Sequence, residues 1–374
     1  MGVTGEPPAE TAAARRGLPL VEPGSRAELA EALAAASAEG RRLLPVGGRT
    51  HLDKGNPATV DGELSTAKLD ALVSCEPAEM IAVVEAGMTV GELDAVLAEQ
   101  GQEWPVDALP EATVGGVVAA APSSPRRLAV GAVRDTVLEL HLVTGDGREL
   151  RAGHRTVKNV AGFDLCKLLT GSLGTLGVIT QVAVRLRPRA RACRTLRFEV
   201  PSGVAGAGFE LASALLAAAP LAAAALVTPG AVHLRLEGWP DDVAAQAARA
   251  AEAAGEPAGA AEDWTFPASR PWLDAPVVVE AAVPPSRLPA LAAGLPGAWG
   301  ALAGVGILWA GLPDAGEPLA ELRGLAAGLG GIAPVVRGEG GLGPGLPAPD
   351  VHRRLKHAFD PAGILAPGRF WEGL

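Results

Sequence analysis

Three glycine-bearing segments hold the residues best placed to do chemistry. The first, Pro45-Val46-Gly47-Gly48-Arg49-Thr50-His51, sets two successive glycines after a short apolar run. Glycine reaches backbone angles closed to other residues, so such a turn can aim several N–H groups at one point and cradle a phosphate. Taken alone, an ordinary tight turn is the plainer reading. The second is Ala112-Thr113-Val114-Gly115-Gly116-Val117-Val118-Ala119. Its small residues let backbone approach a flat ligand, or let a helix N-terminus pack closely on a sheet. The third runs Lys158-Asn159-Val160-Ala161-Gly162-Phe163-Asp164-Leu165 and then Gly171-Ser172-Leu173-Gly174-Thr175-Leu176-Gly177-Val178-Ile179-Thr180. Its glycines precede a strand, whereas the nicotinamide-dinucleotide fingerprint follows a strand and opens a helix. No G-x-x-x-x-G-K-[ST] occurs, which excludes a P-loop.

The elements that must position these segments are legible around them. Ser25 and Glu28 form an S-x-x-E capping box, Leu29 and Leu33 share a helix face, and Gly40 supplies a stop. The apolar run Leu43 to Val46 then leads into Gly47. Ile81 to Glu85 reads as a strand, and Thr89 with Glu92 caps a second helix that Gly101 ends. Val137 to Val143 reads as a strand, turned at Gly145-Asp146-Gly147 toward a partner at Arg148 to Arg151. Leu165, Leu168 and Leu169 sit on a short helix. Val178 to Leu186 alternates as a half-buried strand does, and Pro188 ends it. Leu211 to Val227 is read as a buried alanine-rich helix broken at Pro220. Short strands are expected at Ala231 to Leu236 and Pro276 to Ala282.

Composition narrows the function classes. Lys and Arg number 32 against 42 Asp and Glu, for a net charge of -10, so a nucleic-acid partner is not expected. A ligand with two phosphates can still be held by main-chain N–H groups. Cys75, Cys166 and Cys193 form no CxxC pair, which excludes an iron–sulfur or zinc ligand set and points to a reducing cytoplasm. Neither a signal pattern nor a membrane span is evident. The six histidines, His51, His141, His154, His233, His352 and His357, form no H-x-H, H-x-x-H or H-E-x-x-H pair. No metal site is expected, and no general base can be named. Asp241-Asp242 and Glu262-Asp263 read as solvated loop charges, and Arg126-Arg127 as either an anion grip or surface.

In their order, joined by Val130-Gly131-Ala132-Val133-Arg134-Asp135-Thr136-Val137-Leu138, the three segments resemble the PCMH-type FAD domain of the vanillyl-alcohol-oxidase family. The resemblance runs from about residue 40 to 188. It implies an α+β fold in which two α/β subdomains embrace FAD and a smaller antiparallel-sheet-plus-helix cap follows. It places the pyrophosphate on the first glycine turn, the flat cofactor along the second segment, and its adenine end against the third. The cofactor-binding set carried over is Val46, Gly47, Gly48, Arg49, Thr50, His51, Thr113, Val114, Gly115, Gly116, Gly131, Arg134, Asp135, Gly174, Gly177, Val178 and Ile179. FAD is expected to be non-covalent, the alternative being attachment through His51.

Lys158 to Leu165, Gly131 to Leu138, Ser124-Pro125-Arg126-Arg127-Leu128 and the tail Leu355 to Phe370 narrow the likeness to FAD-binding subunits of glycolate oxidases. That likeness implies two partners, a catalytic FAD subunit and an iron–sulfur subunit, with electrons passing to a respiratory acceptor. It also implies peripheral contact with the inner face of the membrane through those partners. The alternatives are a stand-alone FAD oxidase of another hydroxy acid or alcohol, and a degenerate flavin scaffold. The expected organisation is a loose tail to residue 20, an FAD-binding domain at 21–190, a cap at 191–349, and a segment 350–374 packing back on the FAD domain. Two positions depart from the family pattern. Arg49 stands where a glycine or small residue is common, and Ala366 where an Asn is usual.

Overall fold

The computed structural model describes residues 17–155, 163–200, 206–261, 271–295, 297–343 and 348–371. The expected loose tail (but for its last residues), Lys158 to Gly162 of the third segment, and Glu262-Asp263 lie outside them. The chain divides into two compact units. The first comprises Met1–Pro122, Ala132–Arg189 and Pro344–Leu374; the second comprises Ser123–Gly131 and Ala190–Gly343.

The first unit opens with β1 (Leu20–Val21), α1 (Arg26–Glu39), β2 (Leu43–Val46) and β3 (Gly62–Ser65), whose strands form a parallel sheet in the order β1-β3-β2. Ser25 Oγ accepts the Glu28 N–H at 3.2 Å, and Gly40 closes α1 at φ 67°. The Glu28 carboxylate takes the Gly24 N–H rather than completing a reciprocal box with Ser25. Leu29 and Leu33 are fully buried against Leu43, Leu64, Val143 and Val178.

The larger sheet follows: β4 (Leu72–Glu76), β5 (Ile81–Glu85), α2 (Val90–Glu99), β6 (Gln102–Glu103), α3 (Val114–Ala120), α4 (Val133–Thr136), β7 (Val137–Val143), β8 (Glu149–Gly153), α5 (Leu165–Leu169), β9 (Val178–Arg185) and β10 (Arg187–Pro188). Its order is β4-β5-β9-β7-β8 and every pairing is antiparallel, so only the small sheet of this unit has the parallel α/β form that two such subdomains would require. The reciprocal capping box at Thr89 and Glu92 is complete. Strand β9 is buried along nearly its whole length, not on one face. Val182 and Val184 pack with α2 and α3, while Val178 reaches the α1 core. Pro188 does not end the pairing at once. It closes a two-residue ladder with β6, where a missing N–H costs little.

The second unit is an antiparallel sheet of eight strands, β14-β11-β13-β12-β16-β17-β15-β18. These are β11 (Ala192–Glu199), β12 (Ala222–Thr228), β13 (Ala231–Gly238), β14 (Gly259–Ala261), β15 (Val277–Ala282), β16 (Trp299–Leu302), β17 (Ile307–Leu312) and β18 (Val335–Arg337). One face packs on α6 (Ala207–Ala218), α7 (Pro240–Ala254), α8 (Leu288–Ala293) and α9 (Glu317–Gly328). The stretch Leu211 to Val227 is therefore not one broken helix. It is helix up to Ala218 and a central strand from Ala222, bonded to β13 and β16 on its two sides. Two ladders override the poor strand preference of alanine. Asp241 and Asp242 lie in the first turn of α7, where negative charge suits the helix dipole, rather than in a loop. Arg126 pairs with Glu237 at 3.5 Å, beside the Arg235–Glu237 pair at 2.6 Å.

Back in the first unit, Glu139 on β7 is 1% exposed and accepts from Arg151 at 2.6 Å and His141 at 3.2 Å, with Arg155 at 3.4 Å. Burial alone would raise its pKa, but the hydrogen bonds from Arg151 and His141 outweigh it and hold the carboxyl below its ordinary value near 4.5. A depressed folded pKa adds stability above the unfolded value and loses it as pH falls through the folded one. Glu139→Gln is expected to lower stability by about 1–2 kcal/mol at neutral pH, less than a deeply buried pair because Arg151 is half exposed. In urea titrations the gap between wild type and variant should narrow below pH 4.5. A gap independent of pH contradicts this assignment.

Candidate cofactor site

The site is built where backbone meets backbone. Gly47 and Gly48 follow β2 directly, and a Cβ on Gly47 would overlap Thr113 Oγ1, while one on Gly48 would overlap the Glu111 carbonyl. Thr113 caps α3. Its hydroxyl accepts N–H groups from both Gly116, at 3.2 Å, and Gly48, at 3.3 Å. One side chain thus fastens the first segment to the second. Gly115 lets α3 sit on the end of β5: its N–H donates to the Ala86 carbonyl at 2.8 Å, and an added Cβ would stand 2.6 Å from Ala86 Cβ. The third segment closes on both. Gly171 and Leu173 donate to the Val118 and Ala119 carbonyls, and a Cβ on Gly174 would lie 3.2 Å from the Pro45 ring.

The donors divide sharply between segments. The N–H groups of Val114, Gly115 and Gly116 are all bonded within the protein, to Met88, Ala86 and Thr113. In the first turn, Gly48 is bonded to Thr113, but the N–H groups of Gly47, Arg49 and Thr50 have no acceptor among the described residues. An anion held here meets main-chain donors of the first turn, on a frame the second segment supplies.

Arg49 has φ 60°, so the turn contains a left-handed residue, the conformation glycine adopts most easily. Its guanidinium binds Glu63 through two bonds of 2.5 and 2.9 Å, and that hydrogen bonding raises its pKa further. Its charge is therefore committed to Glu63, a partner that the lone acidic residue in the strand Gly62–Ser65 could have signalled. His51 Nδ1 lies 2.9 Å from Thr50 Oγ1.

The remaining expected residues fall elsewhere. Gly177 packs against Leu142 of β7, where a Cβ would stand 2.6 Å from Leu142 Cδ1. The side chains of Val178 and Ile179 are buried in two different cores, so neither can line a ligand with its side chain. Val46 is buried beside Leu44 and Ala366. Gly131, at φ 78°, closes the short helix Arg127–Val130 in the second unit. Asp135 caps α4 through the Ala132 N–H at 2.9 Å, and Arg134 leans on Asp135 at 3.9 Å. Lys54 was not anticipated. Its ammonium donates to the Ala120 carbonyl at 2.8 Å, tying the loop after the first turn to the end of α3.

Strain concentrates here too. Arg49, Ala121, Leu173 and Ala366 all have positive φ, of 60°, 44°, 56° and 41°. Each non-glycine residue in that region costs about 1–2 kcal/mol. At two of them, Arg49 and Ala366, glycine or asparagine would adopt the left-handed conformation with less strain. Among the described residues, no group of side chains could hold a metal ion, and no helix is long and apolar enough to cross a membrane.

Residues 18–153 match the FAD binding domain family. The chain is 40% identical over 132 residues to glycolate oxidase subunit GlcE of Escherichia coli, covering 34% of this chain and 38% of that protein. It is 34% identical over 198 residues to D-lactate dehydrogenase of Archaeoglobus fulgidus, covering 52% and 44%. It is 28% identical over 180 residues to glycolate oxidase subunit GlcD of Bacillus subtilis, covering 47% and 38%. The matched parts thus span less than half the length of these relatives. Among solved structures, alkyldihydroxyacetonephosphate synthase superposes with a TM-score of 0.69 at 18% identity, covering 93% of this chain and 75% of that one, a likeness of fold. The segment 18–153 is an FAD-binding domain, and the glycine approaches above fit a cofactor gripped by main chain. Gly115→Ala is expected to cost about 1–3 kcal/mol, because α3 must move off β5 to admit the methyl group. An unchanged denaturation midpoint would contradict the packing described.

Proposed function

We propose, with an FAD-binding domain as the premise, that this chain is the FAD-binding subunit of a glycolate-oxidising complex. The observation that carries the reading is the set of N–H donors at Gly47, Arg49 and Thr50 that have no acceptor among the described residues, backed by Thr113. These donors bind the pyrophosphate by dipoles. Arg49 adds little charge, because Glu63 neutralises it. Val46, Gly48, His51, Val114, Gly115, Gly116 and Gly174 shape the groove through backbone and small size. Arg134, Asp135, Gly177, Val178 and Ile179 support it by holding helices and strands in place. Bound FAD supplies the acceptor for the two electrons that leave a hydroxyl-bearing carbon as it becomes a carbonyl. The contact of His51 with Thr50 favours non-covalent binding.

The chain's own titratable groups argue for partners. His141 is turned toward Glu139, and burial lowers its pKa. His233 lies on β13, and burial lowers its pKa as well. The reading places the proton acceptor on a catalytic FAD subunit. Burial pushes the Cys166 thiol up to about 11, which makes it a poor metal ligand, and in this reading electron relay belongs to a separate iron–sulfur subunit. The complex would work in the cytoplasm, at the inner face of the membrane through its partners. A second reading is a stand-alone dehydrogenase of another 2-hydroxy acid, favoured by the likeness of about half the chain to D-lactate dehydrogenase.

The purified chain is expected to be yellow and to release its colour to the supernatant on acid precipitation. Alone, it should reduce a dye acceptor with glycolate or D-lactate only at background rate, and co-purification with both partners should restore glycolate turnover. Strong turnover by the isolated chain would overturn the partnership and favour the second reading. A colourless protein that takes up no added FAD would overturn the flavin assignment.

A further inference from the structure

We infer that Lys356, on the C-terminal helix α10 (Pro349–Phe359), is a positioning residue that sets the shape of the FAD-binding loops. The inference rests on the reading that the first and third glycine segments hold FAD. Lys356 is 7% exposed. Its ammonium donates to the Thr175 carbonyl at 2.8 Å and the Leu365 carbonyl at 2.7 Å, and pairs with Asp360 at 2.7 Å. The three donors of a lysine are thereby all used, on three different pieces of chain. Thr175 follows Gly174, the residue that meets Pro45 of the first segment. Leu365 belongs to a stretch that extends the small parallel sheet: Leu43 donates to the Ile364 carbonyl at 2.8 Å, and Ala366 donates to the Leu43 carbonyl at 2.9 Å. Leu43 begins β2, the strand that leads directly into Gly47.

The other carboxylate bonds complete the clamp. Asp360, 1% exposed, accepts the N–H groups of Ile364 at 3.0 Å and Leu365 at 2.8 Å, so it bends the tail back toward its own helix. Beyond the turn, Arg369 donates to the Leu52 carbonyl at 2.9 Å, and Asn56 donates to the Arg369 carbonyl at 2.7 Å. The tail therefore grips the first glycine loop on both flanks, at Leu43 and at Leu52 to Asn56. Through Lys356 it also grips the third loop, 181 residues away in sequence from its anchor. A buried ammonium is costly to desolvate, and an apolar side chain would fill the volume at less cost. What an apolar residue cannot do is hold two carbonyls and a carboxylate in fixed relation. FAD affinity is the property that such a fixed relation controls.

The test uses the full chain, stripped of flavin and titrated with FAD, with flavin fluorescence as the readout, well below the melting temperature of the apo protein. Lys356→Met is expected to raise the Kd for FAD at least tenfold while the near-ultraviolet circular dichroism of the apo form stays native. Lys356→Met/Asp360→Asn leaves no unpaired charge in the interior, and it carries the comparison should the single variant not fold. A role in stability alone would lower the apo melting temperature and leave the Kd within twofold of wild type, and that result sinks the inference. If wild type itself takes up no FAD, the fault lies in the cofactor reading. If wild type binds and the folded variants bind equally well, it lies in Lys356.

Discussion

Main chain pressed against main chain, with no Cβ between, is the constraint on which the first unit depends. Gly47 and Gly48 lie against Thr113 and Glu111, Gly115 against Ala86, and Gly174 against Pro45. Each approach fixes the distance between two segments far apart in sequence. Thr113 shows how tightly this is built, since its hydroxyl takes one N–H from its own helix and one from the first turn. Moving either segment breaks a bond in the other.

In the proposed reading, an acidic chain that grips a pyrophosphate must manage electrostatics locally. The net charge of -10 gives no general attraction for a phosphate. The local solution uses N–H dipoles, which cost no desolvated ion. The cations nearby are already paired or bonded: Arg49 with Glu63, Lys54 with a helix-end carbonyl, Lys356 with Asp360. These charges hold the backbone in shape, and the backbone holds the ligand. The same economy operates at Glu139, where two arginines and a histidine converge on one buried carboxylate at the sheet.

Much of the fold was legible because its signals are local. Ser25, Thr89 and Gly40 mark helix ends through bonds made within four residues, and the structure places those ends where the residues stand. The α+β class came with the resemblance that the ordered glycine motifs carry. What local signals cannot carry is a choice decided by distant ladders. Ala222 to Thr228 is strand because β13 and β16 flank it, and an alanine-rich composition is silent on that. Strand β9 alternates in sequence yet is buried along nearly its whole length, with Val178 in the α1 core and Ile179, Val182 and Val184 in the core of the larger sheet. Within the candidate site, the glycines were legible as glycines. The division of labour between them was not, since which N–H groups remain free depends on Met88 and Ala86, partners supplied by another part of the chain.

The left-handed residues tie these threads together. Arg49 and Ala366 occupy backbone conformations that glycine or asparagine would adopt with less strain, and each is held there by bonds from elsewhere. Arg49 is anchored by two bonds to Glu63. Ala366 is fully buried, and its N–H is bonded to Leu43. Strain persists only where the surroundings over-determine the conformation. The surroundings in both cases are the parallel sheet β1-β3-β2 and the tail strand that extends it. That small sheet, rather than any side chain reaching toward the ligand, therefore sets the geometry of the first glycine turn. It can do so only while the tail remains bonded to Leu43, which makes residues more than 300 positions away part of the same device.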